Sequence, residues 1–121
     1  MALPTSLPTF ETLLYDVQDG IATVTLHRPE KMNAFTTQMR DDLVAVFDET
    51  DKNDDVRVVI ITGAGRAFCA GADLSSGGKT FDYASRGESA RDRYKVGDVY
   101  RDGGGIATLR IFKSLKPVIG A

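Results

Sequence analysis

A single cysteine, a single histidine and no tryptophan leave this sequence poor in the residues that build disulfide frameworks and metal centres. Cys69 has no partner for an intramolecular bridge, and no metal site is expected. With His27 as the only histidine and no local base beside it, Cys69 reads as a buried structural thiol rather than a nucleophile, and His27 as a strand-end polar residue. Long apolar runs are also missing: none approaches the roughly 20 residues that span a bilayer. The opening Met1-Ala2-Leu3-Pro4-Thr5-Ser6-Leu7-Pro8 has neither the basic region nor the apolar core of a secretion signal, so a cytoplasmic location without membrane contact is expected. Neither sign of charge dominates, with 15 Lys and Arg against 17 Asp and Glu, which gives no general attraction to nucleic acid. What is present, 42% apolar and 26% charged residues in a chain of 121, suffices for one modest globular domain.

Leu13-Leu14-Tyr15-Asp16-Val17 and Ile21-Ala22-Thr23-Val24-Thr25-Leu26 are β-prone runs joined through Asp19-Gly20, a pair that supplies the positive φ angles of a tight turn. An antiparallel hairpin is predicted. Arg28-Pro29 closes the second run, because proline has no N–H for a ladder. Thr36 is placed to cap a helix whose apolar stripe is Met39, Leu43, Val46 and Phe47, with Arg40, Asp41, Asp42, Asp48 and Glu49 expected to face outward. After the polar stretch Asp51-Lys52-Asn53-Asp54-Asp55, the run Val56-Arg57-Val58-Val59-Ile60-Ile61-Thr62 reads as a strand covered on both faces. Strand, strand, helix, strand predicts an α/β unit with a parallel component. Residues 75–105 have few apolar anchors and are expected to form a mobile loop and helix segment. Ile106, Leu109, Arg110, Ile111 and Phe112 then predict a short helix, and Lys116-Pro117-Val118-Ile119-Gly120-Ala121 the opening of another buried strand.

The most informative stretch is Gly63-Ala64-Gly65-Arg66-Ala67-Phe68-Cys69-Ala70-Gly71-Ala72-Asp73-Leu74, a glycine-punctuated loop delivered by a strand. Such a loop offers free backbone N–H groups to an anion. A dinucleotide fingerprint does not fit, since the third glycine of G-x-G-x-x-G would fall at Phe68, where a ring blocks close packing of helix on sheet. The pattern T-G-x-x-x-G-x-G starts at Thr62-Gly63 but then meets Ala67 and Cys69.

Arg28-Pro29-Glu30-Lys31-Met32-Asn33-Ala34, the strand and loop from Val58 to Leu74, and Lys116-Pro117-Val118-Ile119 together resemble the enoyl-CoA hydratase/isomerase (crotonase) superfamily in order and separation. The resemblance covers nearly the whole chain from about Leu13 onward; Gly120 stands where alanine is common. It implies an α/β crotonase-like (ClpP/crotonase) spiral of repeated ββα units, of which residues 1–121 would be the N-terminal part. An acyl-CoA thioester is implied as substrate, with no cofactor beyond the coenzyme A it carries, and a homotrimer or hexamer as the assembly. By the same resemblance the backbone N–H of Ala72 is one of two donors to the thioester carbonyl. Ala70, Gly71, Asp73 and Leu74 would flank the bent coenzyme A, and Lys31 and Met32 would form its other wall. The second donor and the catalytic acids are implied to follow residue 121 in a longer parent.

That parent would hydrate a 2-enoyl-CoA to a 3-hydroxyacyl-CoA. The alternatives are an enoyl-CoA isomerase of the same superfamily, or a noncatalytic short protein that binds acyl-CoA or a partner. Hydration needs a carboxylate to activate water and an acid to protonate carbon, and no pair here can be nominated. Glu88 and Asp92 have helix-face spacing but read as surface residues. Each implied site residue also has a plainer reading: Asp73 as the cap of a following helix, Lys31 as a solvated charge, Met32 as core packing. Arg86, Arg91, Arg93, Lys95 and Arg101 could meet coenzyme A phosphates, but the interleaved Glu88, Asp92, Asp98 and Asp102 favour a solvated face.

Overall fold

Alternating side chains create the first sheet pair, and the turn chemistry fixes its register. The computed structural model describes residues 6–79, 95–96 and 99–121. In it β1 (Leu13–Gln18) and β2 (Ile21–Leu26) pair antiparallel from Leu13 opposite Leu26 to Gln18 opposite Ile21. Asp19 at φ 54° and Gly20 at φ 82° make the predicted tight turn, whose twist matches that of the strands. Ala22, Val24 and Leu26 are buried on one face, while Leu14 and Ile21 on the other are exposed.

α1 (Thr37–Lys52) crosses that buried face. The Thr36 hydroxyl accepts a hydrogen bond from Met39 N–H at 3.1 Å, satisfying a first-turn donor that has no helical partner. Met39, Leu43, Val46 and Phe47 are buried against the sheet as the stripe predicts. Two expected outward residues are not outward: Arg40 is 4% and Asp42 6% exposed. Burial of Asp42 is tolerated because its carboxylate accepts from Thr12 N–H at 2.9 Å, Thr12 Oγ1 at 2.7 Å and Gln38 Nε2 at 2.9 Å. Arg40 pairs with Asp41 at 3.0 Å, and its stem lies where a side chain on Gly103 would go.

β3 (Val58–Gly63) returns parallel to β2, with Ala22 opposite Val59 and Val24 opposite Ile61. Val59 and Ile61 enter the core; Val58, Ile60 and Thr62 are only half-buried. The expected cover on both faces is thus found on one face among the described residues. Ile60 takes its shelter laterally, from Thr23 on β2 and Ile119 on the next parallel strand.

Of residues 75–105, the stretches 80–94 and 97–98 lie outside the described residues, and with them Glu88, Asp92 and the basic residues at 86, 91 and 93. The remainder holds a short 3-10 turn at Gly77–Lys79 and the antiparallel pair β4 (Lys95–Val96) and β5 (Val99–Tyr100). α2 (Gly103–Phe112) begins upstream of Ile106, because the Asp102 carboxylate accepts from Gly105 N–H at 2.7 Å and starts the helix there. β6 (Val118–Gly120) then joins the open side of β3 in parallel, completing the sheet order β1-β2-β3-β6.

Arg110 ties α2 to α1. Its Nε donates to Asp48 at 2.8 Å, and its Nη2 to Phe47 O at 3.1 Å and to the Asp51 carboxylate. Asp51 also accepts Leu115 N–H at 3.0 Å, and Lys116 Nζ donates to Asn53 O at 2.6 Å, so the link into β6 is fixed to the end of α1.

Candidate functional site

The loop that leaves β3 turns so tightly that its first residue has to be glycine: a Cβ on Gly63 would lie 2.4 Å from Ala67 O and 2.5 Å from Phe68 O. Its fold is held from the opposite loop by one buried side chain. Asn33 is fully buried at φ 55°, a left-handed conformation that asparagine tolerates better than most residues. Its Oδ1 accepts Arg28 N–H at 2.7 Å, and its Nδ2 donates to Ala64 O at 2.9 Å and to Ala67 O at 2.8 Å. Only this amide orientation fits, since carbonyls can accept and the Arg28 N–H can only donate.

A second seam follows along the backbone. Ala70 N–H donates to Met32 O at 3.0 Å, Phe35 N–H to Gly71 O at 2.7 Å, and Asp73 N–H to Phe35 O at 2.8 Å. Phe35 and Ala72 therefore form an isolated parallel bridge. The Gly71 carbonyl and the Ala72 N–H belong to one planar trans peptide group, so gripping the carbonyl turns the N–H to the far side. Ala72 is exposed, and its N–H meets no acceptor among the described residues. The arrangement presents a rigid, solvent-facing donor that a ligand oxygen could take.

The other implied site residues gather on the same two loops. Lys31 and Met32 are exposed, Met32 at 42%, so Met32 is not core packing. Ala70 and Gly71 are exposed next to them, and Leu74 is 65% exposed. Asp73 does not start a helix among the described residues. Its Oδ1 accepts Ser75 N–H at 2.8 Å in a local turn, and its Oδ2 meets Arg28 Nη1 at 3.1 Å. Hydrogen bonds from Ser75, then from Arg28, hold its carboxyl down at about 2, so it is ionised at any ordinary pH. Cys69 is only partly buried and packs against the core. Among the described residues no group of three or more His, Cys, Asp or Glu is placed to hold a metal ion, and no helix is long and apolar enough to cross a membrane.

Arg28 and Asn33 are the members of the site that the sequence did not single out. Both lie within the block from Arg28 to Ala34, but the sequence signal for them is faint: an asparagine where the chain turns left-handed, and an arginine before a proline.

The profile of the enoyl-CoA hydratase/isomerase family matches residues 16–98. Among curated proteins, the chain is 42% identical over 65 residues to 1,2-epoxyphenylacetyl-CoA isomerase of Escherichia coli (strain K12), covering 54% of this chain and 25% of that protein. It is 37% identical over 103 residues to enoyl-CoA hydratase ACTT3 of Alternaria alternata, covering 85% of this chain and 31% of that protein. Among solved structures, an enoyl-CoA hydratase/isomerase from Xanthobacter autotrophicus Py2 superposes with a TM-score of 0.72 at 30% identity, over 93% of this chain and 39% of that one. The two-loop site stands on a sheet and helix that match the N-terminal part of the crotonase fold, and the chain belongs to the enoyl-CoA hydratase/isomerase (crotonase) family. The matches to those two curated relatives span 25% and 31% of their length.

Proposed function

We propose that this chain carries the thioester-binding half of an acyl-CoA enzyme, with Ala72 N–H as a donor to the thioester carbonyl oxygen. The observation that carries the reading is the outward Ala72 N–H, left without an acceptor among the described residues while Ala70 and Asp73 on either side are tied to the opposite loop. As a proton leaves or water adds next to the carbonyl, negative charge collects on its oxygen, and a donor already in place strengthens its bond at no cost in reorganisation. Small residues at Ala70, Gly71 and Ala72 leave room for the thioester to lie against the backbone. Lys31, Met32 and Leu74 border the same opening through exposed side chains, whereas the Asp73 carboxylate is engaged by Arg28 and Ser75 and contributes by shaping the loop.

In the full-length parent the reaction is hydration of a 2-enoyl-CoA, supported by the likeness to the A. alternata enoyl-CoA hydratase, with double-bond isomerisation the second reading. The chemistry calls for no cofactor besides the coenzyme A of the substrate. Assembly as a homotrimer or hexamer in the cytoplasm belongs to the same proposal; the exposed Phe112, Leu115 and Ile119 would be covered in the parent by a neighbour or by the rest of its own chain.

Titration of the 121-residue chain with acetoacetyl-CoA, followed by the near-ultraviolet absorbance of its enolate, tests the donor. A bound enolate band is expected. Ala72→Pro, which removes the N–H, should lower it by about 100-fold, the cost typical of losing an oxyanion donor, and Ala72→Ser, which keeps the N–H, should not. An Ala72→Pro chain with the band of the wild type would overturn the assignment.

A further inference from the structure

Arg28 stands at the head of a hydrogen-bonded series that ends at Ala72. Its Nη1 donates to Ala34 O at 2.6 Å. The peptide group that carries this carbonyl also carries Phe35 N–H, which donates to Gly71 O at 2.7 Å. The peptide group of Gly71 in turn carries Ala72 N–H, which points outward without an acceptor among the described residues. In a planar trans peptide the acceptor and the donor sit at opposite ends, so the two groups lie head to tail. Both distances fall at or below the short end of the N–H···O range, as charge-assisted and serially polarised bonds do. The Arg28 side chain is 20% exposed, which limits how far water screens its charge.

We infer that Arg28 is a positioning residue that orients and polarises the Ala72 N–H through two peptide groups in series. The inference rests on the reading of Ala72 as a thioester donor. A cation pulling electron density from the Ala34 carbonyl makes Phe35 N–H a stronger donor, which polarises the Gly71 carbonyl and strengthens Ala72 N–H in turn. Asp73 has a different part. Its carboxylate lies 3.1 Å from the same Nη1, fixing the guanidinium while partly offsetting its field. Loss of Arg28 and loss of the Asp73 charge therefore act in opposite directions on the donor, whereas a purely structural ion pair would make the two losses alike.

Amide proton shifts of the 121-residue chain separate the two cases without any ligand. Arg28→Met should move the Ala72 and Phe35 amide protons upfield, Asp73→Asn should leave them in place or move them downfield, and Arg28→Lys should restore part of the wild-type shift. With acetoacetyl-CoA, Arg28→Met should lower the enolate fraction at saturation by about twofold, because each hydrogen bond in a series strengthens the next by only about 10–30%, and weaken apparent affinity by less than that. If Arg28→Met does not fold, the charge-neutral double variant Arg28→Met with Asp73→Asn is compared with Asp73→Asn alone, and the same upfield shift is expected. An unmoved Ala72 amide on losing Arg28, or equal effects of Arg28→Met and Asp73→Asn, would overturn the relay. A wild-type chain that binds no thioester would overturn the functional reading instead, and the amide shifts would still decide the relay.

Discussion

Asn33 shows how much one side chain can hold. Replacing it with alanine removes the partner of Ala64 O, Ala67 O and Arg28 N–H at a part-buried site, and puts a Cβ-bearing residue without a compensating hydrogen bond at φ 55°. Asn33→Ala should cost about 3 kcal/mol of stability, read from the urea midpoint. Asn33→Asp should cost at least as much, because a carboxylate oxygen would then face two carbonyls; a loss below about 1 kcal/mol in either variant would contradict the geometry. The glycine loop was legible in the sequence because Gly63, Gly65 and Gly71 mark where the backbone turns tightly or takes positive φ. Asn33 was not, since its partners lie 31 and 34 residues further along and no local pattern encodes a contact of that separation. The outward Ala72 N–H was reachable only through family likeness: direction is a property of the peptide group, not of the letter at that position.

Among elements, the join of α1 with α2 has a defined pH response. Burial alone would raise the pKa of Asp51, but the Arg110 and Leu115 hydrogen bonds and the charges of Arg110 and Lys116 lower it overall. A carboxyl depressed in the folded state contributes stability that is present above its unfolded value, about 4, and is lost as pH falls through the lower folded value. Asp51→Asn should therefore be less stable than wild type at pH 7, with the gap constant down to about pH 5 and closing below about pH 4. Thermal melts across that range measure it, and a gap independent of pH would remove the ion pair as its source. Local signals placed the hairpin at Asp19-Gly20 and the cap at Thr36, where one or two residues decide the backbone. They misplaced Arg40 and Asp42, because an ordinary polar position on a helix becomes buried only when Thr12 or Gly103 arrives from elsewhere in the chain. The same limit applies to β3: β-branched residues report that a strand is sheltered but not whether the shelter is a layer above or a neighbour alongside.

At the scale of the molecule, the core of the described residues lies on one side of the sheet and apolar side chains remain on the surface. Phe112 is 84%, Leu115 78% and Ile119 51% exposed, on the end of α2, the following turn and the outer strand β6. Among the described residues β6 also presents a free edge beside them, and edges next to apolar surface favour association. The polypeptide should self-associate with rising concentration in analytical ultracentrifugation. Phe112→Ser with Leu115→Ser should shift the midpoint of that association at least about tenfold higher, given roughly 1.5–3 kcal/mol for each large apolar side chain fully buried; an unchanged midpoint would place the contact elsewhere. One further consequence comes from the bridge between Phe35 and Ala72. Because its grip alternates along the backbone, the outward N–H belongs to a place in a count, and any residue but proline would supply the same bond vector there. What the loop requires at this position is a spacing, set by the bridge, and not the chemistry of a side chain.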